Sequence, residues 1–189
     1  MTSAIGRSEP VHRLLVCVDL QQSSVRDDAC EASARVESCL ANCRRLLRYA
    51  RDADWSIVHS YRRSPQRGPA SPPLPEFEPR LSEAVMPRTG ISAFSNRSLR
   101  WLVEGARDAQ LVLVGFCLGP TGLATLFSAH DLGLPALVVR DAVCAEAGAD
   151  RWTAGLEAAV WDMAAPMAST LTTEKLIGRQ PFLRLVGAS

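Results

Sequence analysis

Two hydrophobic patterns alternate along the chain, and each predicts a different element. Continuous apolar runs such as 14–18 and 111–116 are typical of strands buried on both faces of a parallel sheet. Between such runs, as in 27–51, apolar residues recur every three or four positions, which is the period of an amphipathic helix. The predicted strands are 14–18, 55–61, 111–116, 136–139 and 169–171, and the predicted helices are 27–51, 96–108, 121–132, 151–165 and one that begins at Thr173.

This alternation predicts a three-layer α/β/α domain of Rossmann-like architecture. Each strand, helix and following strand make a right-handed crossover, so helices cover both faces of a mainly parallel sheet. At 189 residues the chain has the length of one domain, and we expect 1–189 to be a single unit. A proline-rich segment at 62–80 is expected to be a long surface loop, either a binding lid or a flexible spacer.

Composition and charge narrow the classes of function. With a formal net charge of +1, the chain has too little positive charge to attract nucleic acid or an anionic membrane. A small-molecule partner is therefore expected. No apolar run approaches the roughly 20 residues that cross a bilayer, and the first ten residues lack the hydrophobic stretch of a secretion signal. We therefore expect a cytoplasmic location, with free cysteine thiols. Because no cysteine or histidine spacing fits a metal motif, we predict no metal and no cofactor.

The candidate chemistry lies just past the apolar runs, because ligands of open parallel sheets bind outside the carboxyl ends of the strands. Asp19 follows the first run, where a partly desolvated carboxylate suits a general acid or base; a helix cap or a structural acceptor is the alternative. A glycine-rich turn at 115–122 leads from a strand into a helix, and its backbone donors suit an oxyanion.

Four stretches carry a family resemblance through their order and spacing. They are LLVCVDLQ at 14–21, PRTGISAF at 87–94, LVLVG at 111–115 and VVRDA at 138–142. Together they resemble the isochorismatase-like hydrolases, the cysteine hydrolase superfamily that also holds nicotinamidases and carbamoylsarcosine amidases. The likeness covers about 12–177 and implies the isochorismatase-like version of the predicted fold.

The resemblance also implies a modified catalytic triad. In the family an aspartate deprotonates a cysteine, a lysine stabilises charge, and the thiolate attacks a carbonyl or nitrile carbon. Asp19 takes the place of the aspartate, Arg88 that of the lysine and Thr121 that of the cysteine. An arginine holds its proton too firmly to exchange it, and a threonine hydroxyl is a far weaker nucleophile than a thiolate.

Further candidates lie in the same stretches and are expected to bind substrate. They are Gln21, Phe94, Cys117 and Leu118. Cys117 has two interpretations, because it lies four residues before Thr121. It is either a relocated nucleophile or, as we favour, a thiol that faces the core from the strand end.

Two functions from different classes follow. Isochorismatases proper also lack the cysteine and hydrolyse a vinyl ether by protonation from the aspartate. The resemblance therefore implies a small-molecule hydrolase in which Asp19 is the acid and Arg88 binds a substrate carboxylate, although this cation also lowers the pKa of Asp19. The alternative is a catalytically silent member that binds a ligand or a protein. The resemblance further implies a homo-oligomer, in which Trp101, Trp152 and Trp161 lie at a subunit contact or pack internally.

Overall fold

A single parallel sheet of six strands forms the centre of the described structure. It comes from a computed structural model that describes residues 12–25, 33–63, 70–106, 109–145 and 153–178. The strand order is β3-β2-β1-β4-β5-β6, and every neighbouring pair is parallel. The strands are β1 (His12–Val18), β2 (Ser56–Arg62), β3 (Ala84–Arg88), β4 (Ala109–Gly115), β5 (Ala136–Val143) and β6 (Ala168–Leu171).

Within the described residues, five α-helices cover both faces of this sheet. Side chains of α1 and α5 share one hydrophobic cluster, and side chains of α2, α3 and α4 share the other. The three-layer α/β/α fold predicted from the pattern is therefore confirmed. The helices are α1 (Ser33–Asp52), α2 (Arg97–Gly105), α3 (Pro120–Asp131), α4 (Ala154–Ala164) and α5 (Thr173–Gly178).

The central strands divide their side chains between the two clusters. On β1, Leu15 and Cys17 pack with α1, whereas Leu14, Val16 and Val18 pack with the helices of the opposite face. Successive side chains of a strand point to opposite faces, so a continuous apolar run fills both cores. This explains why the first apolar run shows no alternation with polar residues.

Two strands depart from the sequence-based prediction. β3 is not predicted, because it is a short edge strand in which Val85 is half exposed and Pro87 has no N–H to donate. Such residues are tolerated at an edge but weaken the strand pattern. β5 continues past the predicted end at 139 to Val143, with a register shift against β4 between Leu113 and Gly115.

The other elements agree with the prediction to within a few residues. The predicted helix starts at 27 and 151 and the helix end at 108 lie outside the described residues, as does 64–69 of the proline-rich segment. The described remainder of that segment is anchored by a bridge between Pro73 and Gln21 and by the buried side chain of Phe77.

The strand order reverses between β1 and β4. From β1 the chain adds β2 and β3 on one side, and from β4 it adds β5 and β6 on the other side. Loops that leave the carboxyl ends of two such strands diverge and open a crevice between them. Among the described helices, none is both long and apolar enough to span a membrane.

Candidate active site

Asp19 begins the site at the carboxyl end of β1. Its backbone N–H donates to the Ser60 carbonyl at 3.0 Å, which continues the pairing of β1 with β2 by one residue. Its φ is +51°, a left-handed conformation that aspartate tolerates better than most residues. The residue is fully buried, so its carboxylate needs a charged partner close by.

Arg88, the last residue of β3, supplies that charge. Its Nη2 donates to Oδ2 of Asp19 at 2.5 Å, and the two side chains are 0% and 1% exposed. Its Nε donates to the Ser60 hydroxyl at 3.1 Å, and its Nη1 donates to the Gly90 carbonyl at 2.7 Å. Three nitrogens of one planar group thus reach three different partners, and the ion pair has a fixed geometry.

The turn from β4 into α3 begins at the carboxyl end of the strand that pairs with β1. Gly115 has φ +102°, and a Cβ atom there would lie 2.3 Å from the Val18 carbonyl oxygen, so only glycine permits the close approach of β4 to β1. Gly119 has φ +137° and precedes Pro120, the first residue of α3. The two glycines therefore fix the backbone conformation where β4 ends and where α3 begins.

Thr121 lies in the first turn of α3 and is 7% exposed. Its carbonyl accepts a hydrogen bond from the Thr125 hydroxyl at 2.7 Å, and that hydroxyl oxygen accepts from the Ala93 backbone N–H at 3.0 Å. The Ala93–Ser95 turn follows Arg88 and Gly90 along the chain. The structure thus joins Asp19 to Arg88 directly, and it connects the first turn of α3 to the segment that carries Arg88.

Cys117 is within electrostatic reach of the same pair. Burial raises the pKa of its thiol, Cys39 and Asp19 raise it further, and Arg88 lowers it. The net shift is upward, so the thiol stays protonated at neutral pH, and a protonated thiol is a poor nucleophile. Its side chain packs in the core on the α3 face, which agrees with the core-facing interpretation.

The remaining substrate-binding candidates have clear structural contacts. The Gln21 carboxamide donates to the Ser71 carbonyl at 2.8 Å and accepts from the Arg62 backbone N–H at 2.7 Å, so it secures the proline-rich segment. Phe94 is nearly buried in the core. Cys117 and Leu118 line an apolar cleft between α3 and α4. A substrate-binding role for these four residues stays a prediction.

Sequence reasoning missed two residues that shape the site. Ser60 bonds both members of the ion pair, through its carbonyl to Asp19 and through its hydroxyl to Arg88. It is a buried polar residue near the carboxyl end of β2, so the positional rule that selected Asp19 selects it too. Thr125 holds Ala93, but no local pattern distinguishes it from other helical threonines.

Comparison with known proteins identifies the family. The family model of the isochorismatase domain matches residues 13–174. The chain belongs to the isochorismatase family. A search of curated proteins found no match. Within the described residues of this isochorismatase-family chain, no group of three or more histidine, cysteine or acidic side chains could hold a metal ion.

Several solved structures share the fold of this chain. An isochorismatase-like hydrolase from Alkaliphilus metalliredigens is 15% identical over 88% of this chain and 97% of that chain, with a TM-score of 0.75. An isochorismatase from Pseudomonas putida KT2440 is 22% identical over 87% and 90%, with a TM-score of 0.73. N-carbamoylsarcosine amidase from Thermoplasma acidophilum is 16% identical over 86% and 96%, with a TM-score of 0.70. At these identities the likeness describes the isochorismatase fold alone.

Proposed function

We propose that this isochorismatase-family chain hydrolyses a small molecule without a cysteine nucleophile. The observation that carries the proposal is the buried ion pair of Asp19 and Arg88, 2.5 Å apart at the carboxyl edge where the strand order reverses. A fixed carboxylate at this edge is well placed to act on a bound substrate. Thr121 takes the place of the thiol and supplies a hydroxyl that orients substrate or water.

The ion pair favours a base over an acid. A guanidinium in contact with Asp19 stabilises its carboxylate form, which accepts a proton from water. That water then attacks the carbonyl carbon of an amide or ester, and the backbone N–H groups in the first turn of α3 donate to the developing oxyanion. When this intermediate collapses, the C–N or C–O bond breaks, and the leaving amine or alkoxide takes the proton that Asp19 accepted. Protonation of a vinyl ether needs the neutral acid instead, which the guanidinium disfavours. Arg88 holds the carboxylate in place through its hydrogen bond to Oδ2 of Asp19.

A substrate screen tests this proposal. We expect the wild-type chain to hydrolyse a member of an amide and ester panel, and Asp19→Asn to lower kcat/KM by about 10²-fold or more, the usual contribution of a general base. Glu104→Gln, an exposed position of α2, is the matched control and should keep full activity. Turnover of enol ethers alone would favour the acid mechanism, and turnover that survives Asp19→Asn would refute either role for Asp19.

A second candidate function is a silent ligand-binding module, and one observation favours it. Asp19 and Arg88 are 0% and 2% exposed and are bonded to each other, so a substrate reaches them only after local opening. The double variant Arg88→Lys/Thr121→Cys restores the family triad and tests this alternative. An inactive wild-type chain with an active double variant would support the silent module; activity in the wild type that needs Asp19 would support the hydrolase.

We also propose that the protein works in the cytoplasm. The cysteines in the described part of the chain are free thiols, and a reducing compartment such as the cytoplasm keeps thiols in this form. The proposed partner is a small molecule.

A further inference from the structure

Ser60 lies between the two members of the buried ion pair. It belongs to β2, the strand between β1 and β3, and its register partners are Val18 on β1 and Met86 on β3. Its carbonyl accepts from the Asp19 N–H at 3.0 Å, and its hydroxyl accepts from Nε of Arg88 at 3.1 Å. Ser60 is fully buried, and the mechanism proposed above assigns it no role.

The neighbours of Ser60 on the sheet are apolar. Val18, Met86 and Val58, which is two residues earlier on β2, all belong to the hydrophobic cluster shared with α2, α3 and α4. Burial of a hydroxyl costs free energy unless the hydroxyl is hydrogen-bonded, and an apolar side chain would fit these neighbours without that cost. The bond to Arg88 therefore accounts for a hydroxyl at this position.

This bond uses an atom that arginine has and lysine lacks. Counted from Cα, Nε of an arginine stands where a lysine has Cε, a methylene group without a donor. With a lysine at position 88, the Ser60 hydroxyl would face carbon at that place. Ser60 and Arg88 are therefore matched to each other.

Ser60 and Gly90 orient the guanidinium without the help of Asp19. Nε of Arg88 donates to the Ser60 hydroxyl, and Nη1 donates to the Gly90 carbonyl at 2.7 Å. Because a guanidinium is planar and rigid, two fixed N–H groups also fix the third, and Nη2 donates to Oδ2 of Asp19. The carboxylate thus meets a cation whose direction is already set, which is the condition for a preorganised site.

We propose that Ser60 is a positioning residue that makes position 88 specific for arginine. Its hydroxyl holds Nε, and this contact keeps Nη2 on the Asp19 carboxylate that the proposed mechanism uses as a base. The chemical purpose of the contact rests on the proposed function, but the contact itself requires no turnover. Unfolding and spectroscopic measurements therefore test it separately from the substrate screen.

A double-mutant cycle tests the match between the two positions. In the wild-type background, Ser60→Ala leaves the buried Nε–H of Arg88 without its acceptor and should raise the equilibrium constant for unfolding by about 5- to 150-fold. In the Arg88→Lys background there is no Nε–H to lose, so the effect should be smaller by about fivefold or more. Ser56→Ala, at the beginning of the same strand, removes an exposed hydrogen bond to His12 and is the matched control. It should change the constant by less than about threefold in both backgrounds.

NMR of the Arg88 Nε–H reads the contact directly. Because this group is buried and hydrogen-bonded, its exchange with water in the wild-type chain should be about tenfold slower, or more, than that of Arg48, which is exposed on α1. Ser60→Ala should shift the signal and speed up its exchange. Ser60→Thr keeps the hydroxyl and should restore the wild-type signature, which a role of Ser60 in packing alone would not require.

The outcomes separate the role of Ser60 from the hydrolase activity. An equal cost of Ser60→Ala with arginine or lysine at position 88 would overturn the proposal. So would an Nε–H of Arg88 that exchanges as fast as that of Arg48 in the wild-type chain, a measurement that needs no variant to fold. A chain that shows the expected coupling but hydrolyses nothing in the substrate screen would refute the hydrolase and keep Ser60 as the partner of Arg88.

Discussion

At the residue scale, the guanidinium of Arg88 fixes the geometry of the candidate site. A lysine ammonium is a compact charge, whereas the guanidinium fork of Arg88 bonds Asp19, Ser60 and Gly90 at once. These three partners come from the ends of β1 and β2 and from the segment after β3. Arg88 therefore links three chain segments as well as supplying charge.

The first prediction concerns this buried pair. Arg88→Met should lower the free energy of unfolding by about 3–5 kcal/mol, because it leaves the Asp19 carboxylate buried without its cation. The double variant Asp19→Asn/Arg88→Met should cost less than the sum of the two single changes. Chemical denaturation measures both quantities. Arg100→Met removes an exposed pair with Glu104 and should cost well under about 1 kcal/mol; equal losses in Arg88→Met and Arg100→Met would contradict the argument.

The second prediction concerns Glu83, which is nearly buried. Burial raises its pKa, but hydrogen bonds from Arg51, the Arg80 backbone N–H and His59 outweigh this effect and lower the pKa to about 2, from an ordinary 4.5. Its contribution to stability is therefore complete above pH 4.5 and is lost as the pH falls towards 2. Glu83→Gln should be less stable than wild type at pH 7 and should lose less stability over this acidic window.

Unfolding midpoints measured at several pH values check this expectation. Burial lowers the pKa of His59 below 6.5, so its protonation also favours the unfolded chain as the pH falls through that value, and this slope should remain in Glu83→Gln. Glu104→Gln is the surface control and should follow the wild-type pH profile. A wild-type profile in Glu83→Gln below pH 4.5 would show that Glu83 contributes nothing there.

At the element scale, the approach of α3 to the preceding turn depends on one glycine. A Cβ atom on Gly122 would lie 1.9 Å from the Cys117 carbonyl oxygen. Alanine is the better helix former, yet Gly122→Ala should destabilise the protein by about 1–3 kcal/mol, because backbone atoms must move to admit the methyl group.

Gly105, the last residue of α2, is the matched control for this prediction. A Cβ atom there would meet nothing within 4 Å, so Gly105→Ala should be neutral or stabilising by up to about 1 kcal/mol. Thermal unfolding of the two variants compares them directly. If both substitutions stabilise the protein alike, the close approach of α3 to the turn is not required.

The elements also show how far sequence reasoning reaches. Apolar periodicity predicts β1, β4 and α3, because these elements bury continuous runs or a regular stripe. It does not predict β3, where pairing with β2 rather than local burial makes the strand. For the same reason the contact between Asp19 and Arg88, 69 residues apart, follows from strand order and not from any local pattern. The family resemblance, by contrast, predicts that Asp19 and Arg88 belong to one site.

At the scale of the whole molecule, two aromatic side chains are exposed among the residues that the structure describes. Trp101 on α2 is 77% exposed and Phe127 on α3 is 53% exposed, although both helices pack on the same face of the sheet. The sequence left Trp152 and Trp161 either at a subunit contact or in internal packing. Trp161 packs internally against the core and lies beside the Arg140 guanidinium, and Trp152 lies outside the described residues. Large aromatic side chains are enriched at protein interfaces and uncommon on open surfaces.

We propose that a second copy of the chain covers this face. The chain should then sediment above its monomer mass of 20.5 kDa at micromolar concentration, and Trp101→Glu should shift it to the monomer, because a buried charge opposes association. Leu81→Glu, at a fully exposed position before β3, is the control and should keep the wild-type mass. A wild-type chain that sediments as a monomer would refute the proposal, whereas an oligomer unchanged by Trp101→Glu would place the contact on another face.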